Sequence, residues 1–378
     1  MAGRPRKECV LEEGKEAENE ITGIAEQIEE GFPEEEEERD LEFFSTGSTI
    51  FDLILGKGIC FKKMLNIVGP SSSGKSFIIS EIIASARKIY GDKLKFVYLD
   101  CEAGYSFSSK SIWGFDIVDG NNPKIDTVEE FAIEIDKALD KIKPDEKLIY
   151  VIDSYDALTS ETETEEYDKK LDSIAKGKKA DGSFGMAKAK FINSFFRMQI
   201  RKIKEKNCLF IVASQTRDNI NGGMFAPAKK RNGGDSLQFY SAAVIWLRVA
   251  EKYGKDGHQT GISVHIKNDK NKLGKPFREG YIDIIFDYGL DNVASNIKFL
   301  YDLYTAEGKT KKQVFGKDDA GKKSEPMKLK WDGEEFLYKD LIRHIESNSL
   351  ERTLERRVKQ KWSELDSNDE YSDRKRRY

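Results

Sequence analysis

The sequence predicts an α/β protein with a mostly parallel central sheet, and three observations carry that expectation. Apolar runs of strand length recur at MLNIV (64–68), KFVYL (95–99), KLIYVI (147–152), CLFIVA (208–213), AVIWLRV (243–249) and YIDIIF (281–286). Runs without polar alternation suit strands covered on both faces. Helical patterns lie between them, from Phe77 to Tyr90 and again after Thr127, where Val128, Phe131, Ile135, Leu139 and Ile142 follow at helical spacing. Thr127 and Glu130 form the Thr-x-x-Glu capping box that opens this second helix. The third observation is GPSSSGKS, Gly69 to Ser76, lodged between the first run and the first helix. Strands alternating with helices imply a parallel sheet.

The chain has 378 residues, 38% hydrophobic and 34% charged, enough for one large core or two moderate ones plus tails. No apolar run approaches the length of a spanning helix, and MAGRPRKECV lacks the apolar centre of a signal peptide, so a soluble intracellular chain is expected. Cys9, Cys60, Cys101 and Cys208 form no CxxC pair, which argues for reduced thiols and against zinc. The net charge of −4 hides segregation. Residues 1–40 hold an unbroken run from Glu34 to Glu38 and few large apolar residues, and read as an acidic, mostly disordered arm. Residues 41–300 read as the core and 301–378 as a small basic C-terminal region with a charged tail. In that region a hairpin at Asp332-Gly333 and a helix from Lys339 to Glu346 are expected. Residues 161–185, polar and rich in Gly and Lys, read as a long mobile insertion.

GPSSSGKS fits GxxxxGK[ST], follows a strand and opens a helix, which is the context this motif requires. Gly69, Pro70, Ser71, Ser72, Ser73 and Gly74 form a loop whose N–H groups can turn inward around phosphates. Lys75 would reach the β- and γ-phosphates of ATP, and Ser76 would offer a hydroxyl to Mg²⁺. Asp153 closes LIYVIDS at the carboxyl edge, where a second metal-facing carboxylate is expected. KFVYLDCE ends in Asp100 and Glu102, two residues apart on one side of an extended chain; either can serve as the base for an attacking water, or simply end a strand. Gln215 follows CLFIVAS, placed either to touch a γ-phosphate or to cap its strand. Behind it lies GGMFAPAKKRNGG (222–234), a glycine-bounded stretch holding Met224, Phe225, Lys229, Lys230 and Arg231.

With these residues in view, the sequence resembles the RecA family of recombinases, including its phage UvsX-like branch. The blocks STGSTIFDLILGKGI (45–59), GPSSSGKS, LDCEAG (99–104), VIDSYDALT (151–159), ASQTR (213–217), NGGDSLQFYSA (232–242) and DKNKLGKPF (269–277) match in order and approximate spacing. The resemblance covers residues 41–300 and implies a RecA-like P-loop NTPase core. It implies that Glu102 is the catalytic glutamate and Gln215 the γ-phosphate sensor, and that Lys270 and Lys272 reach the nucleotide of a neighbouring protomer. By itself, Lys-Asn-Lys reads as a solvated turn. Phe239 resembles an aromatic at that same interface, with a core aromatic as the alternative. Where bacterial RecA has an Asp near the base, this chain has Tyr105-Ser106-Phe107; Tyr105 either stacks on adenine or packs inside.

The resemblance further implies two loops that hold single-stranded DNA. Residues 161–185 correspond to the first, followed by Lys190 and Arg197 on one helix face as phosphate contacts or ordinary surface charge. The second spans 216–234, with Arg217, Lys229, Lys230 and Arg231 toward phosphates. Met224-Phe225 is then a wedge between bases, or else a core anchor. The implied activity is a DNA-dependent ATPase that forms a helical filament on single-stranded DNA, pairs it with homologous duplex DNA and exchanges strands in recombination and repair. Single-strand-binding or mediator proteins are implied partners, and the implied location is the cytoplasm, a host's if the chain is phage-encoded. A RecA-fold hexameric helicase and a regulatory or scaffold ATPase are the alternatives.

Overall fold

A computed structural model of the chain describes residues 41–118, 123–175, 186–218, 229–231 and 234–367. Strand β1 (Phe43–Phe44) pairs with β2 (Ile59–Cys60) around helix α1 (Thr49–Leu55), whose first turn is capped by the Ser48 hydroxyl. The chain then alternates: β3 (Lys63–Gly69), α2 (Lys75–Tyr90), β4 (Leu94–Asp100), α3 (Ser109–Trp113), α4 (Val128–Lys141), β5 (Lys147–Asp153), α5 (Glu161–Ala175), α6 (Met186–Glu205) and β6 (Cys208–Asp218). Next come β7 (Lys229–Arg231), α7 (Gly234–Tyr240), β8 (Ala243–Lys255), β9 (His258–Asn271), β10 (Glu279–Ile285), β11 (Gly289–Leu290) and α8 (Asn292–Leu300). The described chain closes with β12 (Lys328–Trp331), β13 (Glu334–Leu337), α9 (Tyr338–Ser347) and α10 (Glu351–Ser367). The expected hairpin is β12–β13, with Asp332 and Gly333 both at positive φ, as a two-residue turn demands.

The central sheet runs β11-β10-β9-β8-β3-β6-β5-β4. From β4 to β8 it is parallel; from β8 to β11 it turns antiparallel. Period-two alternation feeds two cores. Ile149, Val151, Leu209 and Ile211 pack on the face of α2, while Tyr150, Phe210 and Val212 pack with Phe131 and Phe196 on the face of α4 and α6. Parallel strands buried on both sides require such apolar runs, which is why the sequence shows them. Both bonds of the Thr127/Glu130 capping box form, at 3.2 Å each.

Beyond residue 300, Trp331, Leu341, Ile345, Leu354 and Val358 are buried in the same core as α1 and α2. The described part from Phe43 onward is one compact unit.

One segment departs from expectation. Glu161–Ala175, read from composition as mobile insertion, is a helix. Its cause is a second capping box: the Ser160 hydroxyl accepts from Glu163 N at 3.2 Å, and the Glu163 carboxylate accepts from Ser160 N at 3.3 Å. Glu161 and Glu163 also favour the positive helix start, and Glu165 pairs with Lys169 one turn on. Residues 176–185 lie outside the described residues.

Candidate functional site

The ends of β3, β4, β5 and β6 converge on one cavity of about 650 Å³, and α2 begins at its floor. Between Gly69 and Lys75 the backbone makes a tight turn, with Gly74 at φ 92° and no side-chain cap on α2. A Cβ on Gly69 would fall 2.5 Å from Ser73 Oγ and 3.0 Å from Leu247 O, so only glycine fits there. The uncapped N–H groups of α2 therefore face the cavity, with the helix dipole behind them. Lys75 is 7% exposed, and its ammonium donates to the Gly69 and Pro70 carbonyls at 3.1 and 2.9 Å. Burial lowers its pKa, against the opposing charges of Asp153, Glu102 and Asp156.

Asp153, at the end of β5, accepts from the Ser76 hydroxyl and, at 2.6 Å, from Tyr98. Burial raises its pKa, opposed by these hydrogen bonds and by the charge of Lys75. The Ser76–Asp153 pair fits Mg²⁺, which takes few protein oxygens and fills its remaining positions with phosphate and water.

Asp100 and Glu102 take different tasks. Asp100 accepts from the N–H groups of Gly104 and Tyr105 at 3.1 and 2.9 Å, fixing the turn after β4. Glu102 faces the cavity, where one oxygen accepts from the Ser154 hydroxyl and from Gln215 Nε2 at 2.7 Å. The Gln215 backbone N–H in turn donates to Asp156 at 2.6 Å. Glu102 thus ties together the ends of β4, β5 and β6.

Tyr105 turns away from the cavity. Its hydroxyl lies 2.9 Å from Ser80 Oγ, its ring packs against Tyr98 and Phe107, and burial raises its pKa to about 12. Ser106 and Phe107 line the cavity instead, and across from them stand Phe286, 42% exposed, and Lys252. Phe286 ends the apolar run 281–286, but composition had no signal for Lys252, Gln259 and Ile262, because β9 and the outer part of β8 are not apolar runs. Phe77, from α2, lines the floor and packs at a tilt against Trp113, whose indole N–H donates to Glu81 at 2.8 Å.

A glycine-framed loop, a Ser–Asp pair and a Glu–Gln contact thus meet at adjacent strand ends. The RecA N-terminal domain family matches residues 28–291. The chain belongs to the RecA family. It is 31% identical over 271 residues to Protein RecA of Allochromatium vinosum, covering 71% of this chain and 72% of that one. Protein RecA of Bordetella pertussis is 28% identical over 295 residues, 77% of this chain and 78% of the relative. For Protein RecA of Bordetella avium the figures are 30% over 260 residues and 68% of both.

On this RecA-family chain the basic triplet after Gln215 is a strand rather than free loop. β7 pairs antiparallel with the tip of β6, setting Arg231 opposite Thr216, Lys230 opposite Arg217 and Lys229 opposite Asp218. Met224 and Phe225 lie outside the described residues. Lys190 and Arg197 are both on α6, and Arg197 is exposed. Phe239, on α7, is 71% exposed and so is no core aromatic. Lys270 donates to the Gln238 and Phe239 carbonyls, the latter at 2.9 Å, while exposed Lys272 donates its backbone N–H to Ala242.

The register puts Lys270 level with Val244 and Asn66, and Lys272 level with Met64. Gly69 is three and five residues further along, roughly 10 and 17 Å. Both lysines therefore sit at the sheet edge remote from their own phosphate loop.

Proposed function

We propose that this chain is an ATP-dependent DNA recombinase that assembles as a filament on single-stranded DNA, pairs it with homologous duplex DNA and exchanges strands. The observation that carries the reading is the link from Glu102 through Gln215 to the β6–β7 ribbon. It joins the carboxylate of the nucleotide cavity to three consecutive basic residues by one hydrogen bond and one short strand pair. A change at a γ-phosphate touching Gln215 would move the strand opposite Lys229, Lys230 and Arg231, a two-state element of the kind switching needs.

In this reading the phosphate loop and Lys75 hold ATP, and Ser76 and Asp153 hold Mg²⁺, which neutralises charge on the β- and γ-phosphates. Glu102 orients and deprotonates water, and Gln215 senses the γ-phosphate. Phe107 and Phe286 are better placed than Tyr105 to flank the base, because they line the cavity and Tyr105 does not. Lys270 and Lys272, too far from their own loop, complete the site of the next protomer, which makes ATP a bond between subunits. Arg217 and the β7 triplet, with Lys190 and Arg197, contact DNA phosphates. Met224-Phe225 separates bases.

The placement in the phage UvsX-like branch rests on the sequence blocks alone. Among the described residues no helix is long and apolar enough to cross a membrane.

Purified protein should hydrolyse ATP faster when single-stranded DNA is added and form helical filaments by negative-stain electron microscopy. Closed rings that unwind duplex would favour a helicase. Folded, nucleotide-bound protein with neither stimulation nor filament sinks the proposal.

A further inference from the structure

Lys252 lines the same cavity from the side opposite Glu102 and has been given no part in it. Its position is built by an irregularity in β8. Side chains of a regular strand alternate, so Val249 and Lys252, three apart, should point to opposite faces. Both line the cavity, because the pairing of β8 with β9 slips between Val249 and Glu251. A bulge of this kind re-aims the side chains that follow it.

The two neighbours of Lys252 are then fastened on the other face. The Glu251 carboxylate accepts from both the N–H and the hydroxyl of Thr310 at 2.8 Å, and the Tyr253 hydroxyl donates to Asp283 at 2.6 Å. The Lys252 side chain makes no hydrogen bond or ion pair with any described residue, and Lys252 is exposed and lines the cavity. Its strand partner Ile262 approaches within 3.8 Å of where a Cβ on Gly74 would lie, which sets this part of the wall against the phosphate loop.

Charge gives the position its meaning. Among the described lining residues Lys75 and Lys252 are the cations, facing Glu102, Asp153 and Asp287. A nucleotide polyphosphate entering there meets three carboxylates, and Lys252 doubles the ammonium groups that oppose them from one to two. We infer that Lys252 is a nucleotide-binding residue acting within its own protomer, its ammonium contacting the polyphosphate of the nucleotide held by the phosphate loop. The inference rests on the nucleotide reading of this cavity.

The test is titration of full-length protein with fluorescent N-methylanthraniloyl-ADP, without DNA, at low and high salt and at concentrations where light scattering shows monomers. Lys252→Ala should weaken binding roughly 10-fold and flatten its salt dependence, and Lys252→Arg should keep most of the affinity. Lys75→Ala is the control for the reading itself. If Lys75→Ala loses binding while folded Lys252→Ala binds like the wild type, the role of Lys252 is overturned and the nucleotide site stands. If neither substitution affects binding, the nucleotide reading falls and this inference with it. An effect of Lys252→Ala seen only in assembled protein overturns the within-protomer assignment.

Discussion

Glu102 accepts from donors on two other chain segments, Ser154 just after β5 and Gln215 on β6, and so is held in one orientation in the cavity wall. Removing its charge while keeping its shape tests the proposed base: Glu102→Gln should lower kcat for ATP hydrolysis by about 10²–10⁴-fold with nucleotide binding retained, read by steady-state ATPase and a binding titration. Asp153 is the opposite case, a carboxylate whose pKa burial has raised. A carboxyl with a raised folded value favours folding below its unfolded value, near pH 4, and loses that contribution as pH rises through the folded one. Nucleotide-free protein should therefore lose stability across that window as the pH is raised. Asp153→Asn keeps acceptors for Ser76 and Tyr98, and should flatten the pH profile and raise the midpoint of thermal unfolding near neutrality by about 2 °C or more, while abolishing Mg²⁺-dependent hydrolysis. At this scale the sequence was most informative. GPSSSGKS, Asp153 and Gln215 could be placed because each ends an apolar run, but Asp100 and Glu102 were separable only by their partners, the turn N–H groups for one and the cavity for the other.

Legibility falls off at the scale of elements. The buried parallel strands announced themselves as continuous apolar runs, whereas β9 did not. It carries Ile262, Val264 and Ile266 alternating with Ser263, His265 and Lys267, and such a pattern dilutes to average composition. The bulge that aims Lys252 leaves no mark in the sequence, since it depends on pairing with a strand that was itself unread. Helix α5 was legible in principle, because Ser160-Glu161-Thr162-Glu163 is a capping box as plain as Thr127–Glu130, but its scarcity of apolar residues drew the eye to mobility instead. Ser160→Ala should cost that helix about 1 kcal/mol, seen as faster amide hydrogen exchange across Glu161–Ala175, with DNA-independent ATPase unchanged.

For the whole molecule, two consequences of architecture are open to test. If hydrolysis is completed between protomers, a chain lacking Lys270 and Lys272 and a chain carrying Glu102→Gln should each be inactive alone and regain ATPase when mixed, since one supplies intact Glu102 and the other intact lysines. A mixture as inactive as its components would confine the site to one chain. The second consequence concerns the region beyond residue 300, read from the sequence as a small basic C-terminal region. It shares the central core and is anchored beside α8, where Lys298 and Asp283 form an ion pair at 2.6 Å with side chains 3% and 2% exposed. Lys298→Met strands a buried carboxylate and should destabilise the protein by about 3–5 kcal/mol in urea unfolding.

The burial of Trp331 turns this arrangement into something that can be watched. The indole is 1% exposed, and the Arg357 guanidinium lies over it at 3.8 Å. Indole emission moves to longer wavelength when water reaches the ring, so Trp331 serves as a built-in optical reporter at the seam between the C-terminal region and the sheet. With the other tryptophans replaced by phenylalanine, its spectrum would show whether that seam opens before the sheet unfolds or together with it.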